Sequence, residues 1–543
     1  MVKKILLDNF NDIHEFVCKN EAILYFSKEH TYSDYKKLVD DFDNYDFDLY
    51  ADNTIGDNMF TTFVKDGKII NAYYTSCDKT VRVIVEDGGN LPPREQDNVF
   101  EKKVAPLVTQ LKTACLTVDC GMCYVIRLCD GRFILIDTAF DEFEEADRLL
   151  DVLEEQNTVF EKPVLAACFF THAHGDHIGV FTRLMKDYAD RLVFGDVIFN
   201  WPADGITDNV KHDEFDEYVA KTNGIRVITA RSGQQYHYAD AIIDMLFVCD
   251  DLYPDYIANS NDTSLAFSMK INGKHIMWLG DVQVEASKCM CERYDATILK
   301  SDVVQVAHHG YWGGSKELYT MINPNVMLWP IPDFWYHEAL SWEPNTCFDD
   351  LENLDKVYIS GRYQTTIDLT KPYPEVPMVC DYKIGDVVYS EYFSDKNRVI
   401  DLGWTCLTGG YTECDKSNFE LADGGCIWTV STDRHSILEV LRPEILDNVK
   451  SYKLELKGKI IEKPEEFGLI FNHERPTHWS TEHFVSLATD KDKFNVVFIV
   501  DAKNNLAKLE EQLFSYMPES RRGLYFVLKK GQIKFESIKL TKL

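Results

Sequence analysis

Between Val164 and Phe170 the chain runs through unbroken apolar residues and then turns abruptly polar at Thr171. A short apolar run of this kind reads as a buried strand. Upstream, Tyr124 to Leu128 and Phe133 to Ile136 form a strand pair around the turn Asp130-Gly131. Phe143, Ala146, Leu149, Leu150 and Leu153 recur at helical spacing and predict a helix from Phe143 to Gln156. A second helix is expected from about Ile178 to Asp187, so strand, helix, strand, turn and helix alternate as in an α/β domain. Ahead of it, a helix near Tyr32 to Asp41 precedes strands at Met59–Val64, Ile69–Thr75 and Thr80–Val85, with Asp66-Gly67 as a hairpin turn. Little other structure is expected in residues 1–60. Gly88 to Pro93 is the first loop boundary, and Val357–Ser360 and Thr365–Leu369 are the last strands before the stiff linker Lys371–Pro377.

Beyond the linker short strand candidates recur at Val387–Tyr392, Cys426–Val430, Ser436–Leu441, Tyr452–Lys459, Phe467–Phe471, Asn495–Val500 and Leu524–Lys529, with one helix at Asn504–Tyr516. That spacing predicts a β-sandwich accessory domain. The expected division is a partly β N-terminal extension over 1–103, an α/β domain over 104–370 and a β-rich domain over 378–543.

Composition narrows the function. The 543 residues are too many for one ordinary core. With 57 basic against 89 acidic residues, a net charge of −32, the chain repels phosphate backbones and anionic membranes, which disfavours nucleic acid as a partner. No apolar run reaches the ~18 residues of a membrane span, and residues 1–25 carry no secretory pattern. Fifteen scattered cysteines, an odd number, fit reduced thiols in a cytoplasm better than a disulfide framework. Cys120 and Cys123, like Cys289 and Cys291, are read as small buried hydrophobes.

The candidate chemistry sits where the Val164–Phe170 strand ends, in Thr171-His172-Ala173-His174-Gly175-Asp176-His177. Three imidazoles and a carboxylate at a strand end are costly to bury unless something binds them. Imidazole with carboxylate suits zinc, iron or manganese. His172 and His174, two apart on an extended segment, point the same way. Gly175 lets Asp176 and His177 aim at a second point, so one turn feeds two metal positions about 3.5–4 Å apart.

At these residues the sequence resembles the metallo-β-lactamase fold superfamily, whose signature is His-x-His-x-Asp-His after a strand. Four further stretches fit in order, over roughly residues 105–370: Arg132–Thr138 with Asp137, Asn261-Asp262-Thr263-Ser264-Leu265, Ile276–Asp281, and Asp302–Gly310 with His308 and His309. The resemblance implies an αββα sandwich binding two divalent cations, zinc first and iron or manganese as alternatives. His172, His174, Asp176, His177, a bridging Asp281 and His308 are then the ligands, with His308 preferred over His309. Asp137, Asn261 and Ser264 support them, and Asp176 and His309 take part in catalysis. The Asn261–Leu265 stretch is similar to the subgroup containing the nuclease-like domain of ComEC and the phosphorylcholine esterases. Two departures stand out. No histidine between the motif and Asp281 has a ligand's setting, since His212, His237 and His275 read as surface or packing residues. The run ending His308-His309-Gly310-Tyr311 also lacks the subgroup's Lys and final Ser, which weakens a nuclease reading.

The implied activity is hydrolysis of a small phosphodiester or related ester by metal-activated water. Alternatives are a lactamase, lactonase or thioester hydrolase on the same metals, and a binding protein with a structural metal. A diiron flavoprotein module lacks the Gly-rich phosphate loop it would need. Tyr311, Trp312, Trp329, Phe334, Trp335, Tyr336 and Trp342 read mainly as packing. Trp404, Trp428 and Trp479 raise a carbohydrate contact for the C-terminal domain, and His473, His478 and His483 read as a solvated loop rather than a metal site.

Overall fold

The computed structural model describes residues 1–113, 121–141, 145–208, 210–331 and 336–376; beyond Val376 it describes 385, 387–393, 406–408, 419–422, 424–431, 436–441, 451–471, 484–487, 492–501, 506–509, 512–515 and 524–543. Met1–Thr113, Gly121–Ile331 and His337–Val376 form one compact unit, and the chain from Pro377 to Leu543 belongs to another.

At the centre of the first unit two seven-stranded sheets face each other. One runs Arg226–Thr229, Asp196–Phe199, Leu165–Phe169, Phe133–Thr138, Cys123–Arg127, Leu107–Gln110 and Thr365–Asp368; the other runs in chain order from Gln235–Tyr238 to Lys356–Ile359. Leu165–Phe169 has parallel neighbours on both sides, and all five of its residues are buried, which is why the sequence shows an unbroken apolar run instead of alternation. Phe169, Tyr236, Phe267, Trp278 and Leu328 are among the side chains that fill the space between the sheets. Helices Glu145–Gln156, Gly175–Asp187 and Asp213–Lys221 put Leu149, Phe181 and Phe215 against the outer face of the first sheet. Helices Val284–Arg293 and Lys316–Ile322 belong to the second sheet's side. This is the αββα sandwich that the resemblance implied.

Residues 1–60 hold more structure than their polarity suggests. The strand candidates of this region join a separate six-stranded antiparallel sheet, ordered His14–Val17, Ile23–Ser27, Thr80–Asp87, Lys68–Thr75, Asn58–Lys65 and Asp48–Ile55. Helices Val2–Asn9 and Tyr32–Asn44 cover one face through Ile5, Leu6, Leu38 and Phe42. Further residues of this sheet, Asn53, Asn58 and Tyr73, bond to Gly233, Arg293 and Asp251 of the sandwich, so Lys68–Thr75 is buried over nearly its whole length.

The second unit is a β-sandwich of an eight-stranded and a five-stranded antiparallel sheet, with Trp428, Leu454 and Phe498 of one packed with Phe467 and Phe526 of the other. Its long strands alternate over most of their length between buried and partly buried positions, the period that made them legible. The helix expected at Asn504–Tyr516 is not formed: Leu506–Leu509 pairs with Lys493–Asp501 on one side and with the edge strand Gln512–Ser515 on the other. Apolar spacing there suits either element, and pairing to an existing sheet decides it. Trp428 is fully buried and offers no stacking face. Phe143, Cys120, Phe334, Trp335, Trp404, Trp479, His473, His478 and His483 lie outside the described residues.

Candidate metal centre

The polar groups converge where strands of both sheets end. After Phe169 the strand ends and the backbone bends at His172 and Ala173 before His174 caps the helix Gly175–Asp187, so Asp176 and His177 lie in that helix's first turn. Asp281 follows the strand Lys274–Trp278 through Leu279 and Gly280. Gly280 has φ +53°, and a Cβ there would lie 2.6 Å from that of Thr171, so the two strand ends close on each other only with glycine present.

Asp176, His177, Asp281 and His309 each offer a ligand atom, all within 4.8 Å of one another. His177 Nε2 lies 3.2 Å and 3.5 Å from Oδ2 of Asp281 and Asp176, and His309 Nε2 lies 3.6 Å and 3.1 Å from the same atoms. Beside this group, His172 Nε2 and His174 Nδ1 face each other at 2.9 Å, with Asp281 Oδ2 3.8 Å from the former. Asp281 thus stands between a two-histidine pair and a three-residue set.

Neighbouring groups fix the tautomers. His177 Nδ1 donates to Asp137 Oδ2 at 2.8 Å, and His309 Nδ1 to the Pro330 carbonyl at 2.8 Å, leaving both Nε2 lone pairs for the cluster. Asp137 also accepts the Thr171 N–H and hydroxyl. The Thr171 and Ser264 oxygens, each 3.2 Å from His172 Nδ1, accept its proton, and Ser264 accepts the Asp281 N–H. Asn261 and Gln283 hold the two ring nitrogens of His308 through their amides, at 2.9 and 2.8 Å.

The preference for His308 over His309 is corrected by this geometry. Alternation along a strand cannot choose between them, because the strand ends at Gln305 and His308, His309 and Gly310 all take left-handed φ values of +48°, +53° and +80°. Such a run is strained for non-glycine residues and persists only where its surroundings fix it. Here Trp329 donates to the His309 carbonyl and Asn345 to that of Gly310. The result swings His309 into the carboxylates and His308 towards Asn261. His212 pairs with Asp216 and His237 with Gln235, while His275 is exposed.

Charge divides the site. Burial alone would push Asp176 and Asp281 up, but His177 and His309 outweigh it and hold both carboxyls below the usual range. Burial pulls the rings down in turn, yet Asp281 and Asp176 lift His177 well above its ordinary value and His309 to about 9. His172 and His174 are kept below theirs, chiefly by burial. Two buried polar atoms, His177 Nε2 and Asp281 Oδ1, have no hydrogen-bond partner. Buried polar atoms left this way are rare unless they bind something. The donor set of imidazole and carboxylate therefore fits a transition-type cation.

No protein-family model matches the chain, and no curated protein does. Solved structures similar to it include the metallo-β-lactamase fold protein YhfI from Bacillus subtilis (13% identity, 48% of this chain and 99% of that one, TM-score 0.31). Zn2+-bound PqqB from Methylobacterium extorquens is similar over 48% of this chain and 99% of its own (11% identity, TM-score 0.31). CmlA, a diiron β-hydroxylase from Streptomyces venezuelae, covers 49% and 54% respectively (11% identity, TM-score 0.29). In its own layers and strand order, this chain is an αββα sandwich with a candidate metal centre at the strand ends.

Proposed function

We propose that the protein is a metal-dependent hydrolase whose dinuclear centre acts on a small phosphodiester or related ester. The observation that supports it is the convergence of Asp176, His177, Asp281 and His309 within 4.8 Å, with His177 Nε2 and Asp281 Oδ1 buried and unpartnered. His172 and His174 would hold one cation, Asp176, His177 and His309 the other, and Asp281 both; zinc is the first choice, iron or manganese the alternatives. A bound pair supplies Lewis-acid activation of water and of the ester oxygens, which suits esters with charge on both attacking and leaving sides. Asp176 orients the attacking water. Asp137 and Ser264 keep the ligand rings in the tautomer that presents Nε2. With His309 engaged by the carboxylates, His308 is clamped at both ring nitrogens by the Asn261 and Gln283 amides and serves to hold the loop beside the centre. The Asn261–Leu265 segment supports the ComEC-like and phosphorylcholine esterase-like subgroup, since Leu265 N–H bonds to the Thr171 carbonyl and brings it against the motif. Ten of the described cysteines are free thiols, which supports a cytoplasmic setting, and no helix among the described residues is long and apolar enough to cross a membrane.

The test is elemental analysis of protein purified without chelator, coupled to an assay on bis(p-nitrophenyl) phosphate, nitrocefin and a thioester. The expected result is close to two metals per chain and turnover of the phosphodiester that chelation abolishes. Less than one metal per chain, or full loading with no turnover of any ester, sinks the proposal.

A further inference from the structure

A cavity of about 500 Å³ opens beside the metal centre, with His172 and Ser260 in its wall. Ser260 Oγ lies 3.1 Å from His174 Nε2, so this wall is the site itself. The opposite wall is built from the loop after Asp196–Phe199, including Asp204, Thr207 and His212, and from Lys19 of the N-terminal region. Among the described residues lining the cavity, Lys19 is the only lysine or arginine.

Lys19 is placed there by structure. It sits at the tip of the hairpin formed by His14–Val17 and Ile23–Ser27, in a turn closed by the Cys18 N–H on the Ala22 carbonyl, with Asn20 and Glu21 left-handed. Phe16 of that hairpin packs on Tyr253, whose hydroxyl accepts the Ala203 N–H, so hairpin and loop are fixed together. Lys19 Nζ meets Asp204 Oδ1 at 2.6 Å, but Asp204 is 89% exposed and Lys19 only 29%. An ion pair with one partner so open to water is weak and readily exchanged. Thr207 Oγ1, in the same wall, is buried without a hydrogen-bond partner. Among the described lining residues Lys19 stands with two aspartates, Asp204 and Asp208, so it is the ammonium there that can pair with the anionic part of a ligand.

We infer that Lys19 is a specificity residue of this centre: it receives a second anionic group, carboxylate or phosphate, on a substrate whose ester lies at His172 and His174. The inference rests on the hydrolase reading. Asp204 holds the ammonium when no ligand is present and yields it to the incoming anion, while Thr207 donates its hydroxyl to that anion.

The test is calorimetric binding of non-hydrolysable probes to the zinc-loaded full chain. A graded series of ω-carboxyalkylphosphonates is compared with alkylphosphonates of the same length, in the natural sequence and in Lys19→Met, Lys19→Arg and Asp204→Asn. At one tether length the carboxylate should tighten binding by about tenfold, the order of one charge-assisted contact. Lys19→Met should cancel that gain, Lys19→Arg keep most of it, and Asp204→Asn enlarge it, with zinc content unchanged throughout. Equal binding of both series in the natural sequence, or a gain that survives Lys19→Met, overturns the assignment of Lys19 and leaves the metal centre standing. If neither series binds to fully loaded protein, the hydrolase reading fails and takes this inference with it.

Discussion

Two clusters of buried charge lie within the first unit, and they are built to opposite ends. In one, Arg231 bonds to Asp250 at 2.5 Å and Glu86 at 2.9 Å, and Arg293 to Asp251 at 2.8 Å, with Tyr73 and Ser232 also donating to Asp251 and Asn200 to Asp250. Every anion there has a guanidinium. In the other, at the strand ends, carboxylates meet only imidazoles, and the leftover atoms include His177 Nε2 and Asp281 Oδ1. The first also leaves atoms over, the Nε–H groups of Arg231 and Arg293 and Oδ1 of Asp250, but each of its carboxylates is met by a guanidinium. Burial and charge alone therefore do not mark a functional site; what separates the two is whether the carboxylates are met by guanidinium or by imidazole alone. The arginine cluster ties the N-terminal sheet to the sandwich, and the imidazole cluster waits for a ligand.

Substitutions should separate the two. The largest effect is expected for His177→Ala, which removes a ligand from the second cation: turnover should fall to background and metal content by about one per chain, with folding retained by circular dichroism. Arg293→Met should do the reverse. Stripping one partner from a buried pair leaves Asp251 uncompensated and costs about 3–5 kcal/mol, read in denaturant unfolding, while metal stoichiometry stays constant in the protein that remains folded. If Arg293→Met lowered metal content, the division between the clusters would fail. Asp137→Asn should be milder. It keeps the shape but loses the carboxylate on His177 Nδ1, and metal affinity should drop about 10–100-fold by competition with a chelating dye.

The smallest effect is in pH. With the ring of His309 raised from about 6.5 to about 9 by the carboxylates, its contribution to the chelated protein is fully present below pH 6.5 and lost as pH rises through 9. The melting temperature of chelated protein should decline over that window. Metal needs the neutral ring, so loaded protein should gain over the same window instead, and parallel curves would contradict the site.

Much of this was readable from residues alone, for definite reasons. Leu165–Phe169 is buried on both faces, so its composition admits few alternatives, and the histidines after it have no packing rationale. The Tyr452–Glu462 and Gly531–Lys542 strands announce themselves by alternation. Other features depend on tertiary context. His308 and His309 differ only through three left-handed residues fixed by Trp329 and Asn345, neither adjacent in sequence. The N-terminal sheet's outer strands, His14–Val17 and Asp48–Ile55, are short or polar and carry weak periodic signal. Lys19 looks like any surface lysine until the hairpin is folded against Tyr253. Leu506–Leu509 follows its neighbour strand against a helical spacing of its own.

The docking of the N-terminal sheet has a consequence for anyone seeking a minimal fragment. A chain begun at Val104 would keep each ligand of the metal centre and still be a poor protein, because Arg231 would lose Glu86, Asp251 would lose Tyr73, and the sandwich surface around Gly233 would meet water. The first hundred residues behave less as an appendage than as the missing side of the domain they precede.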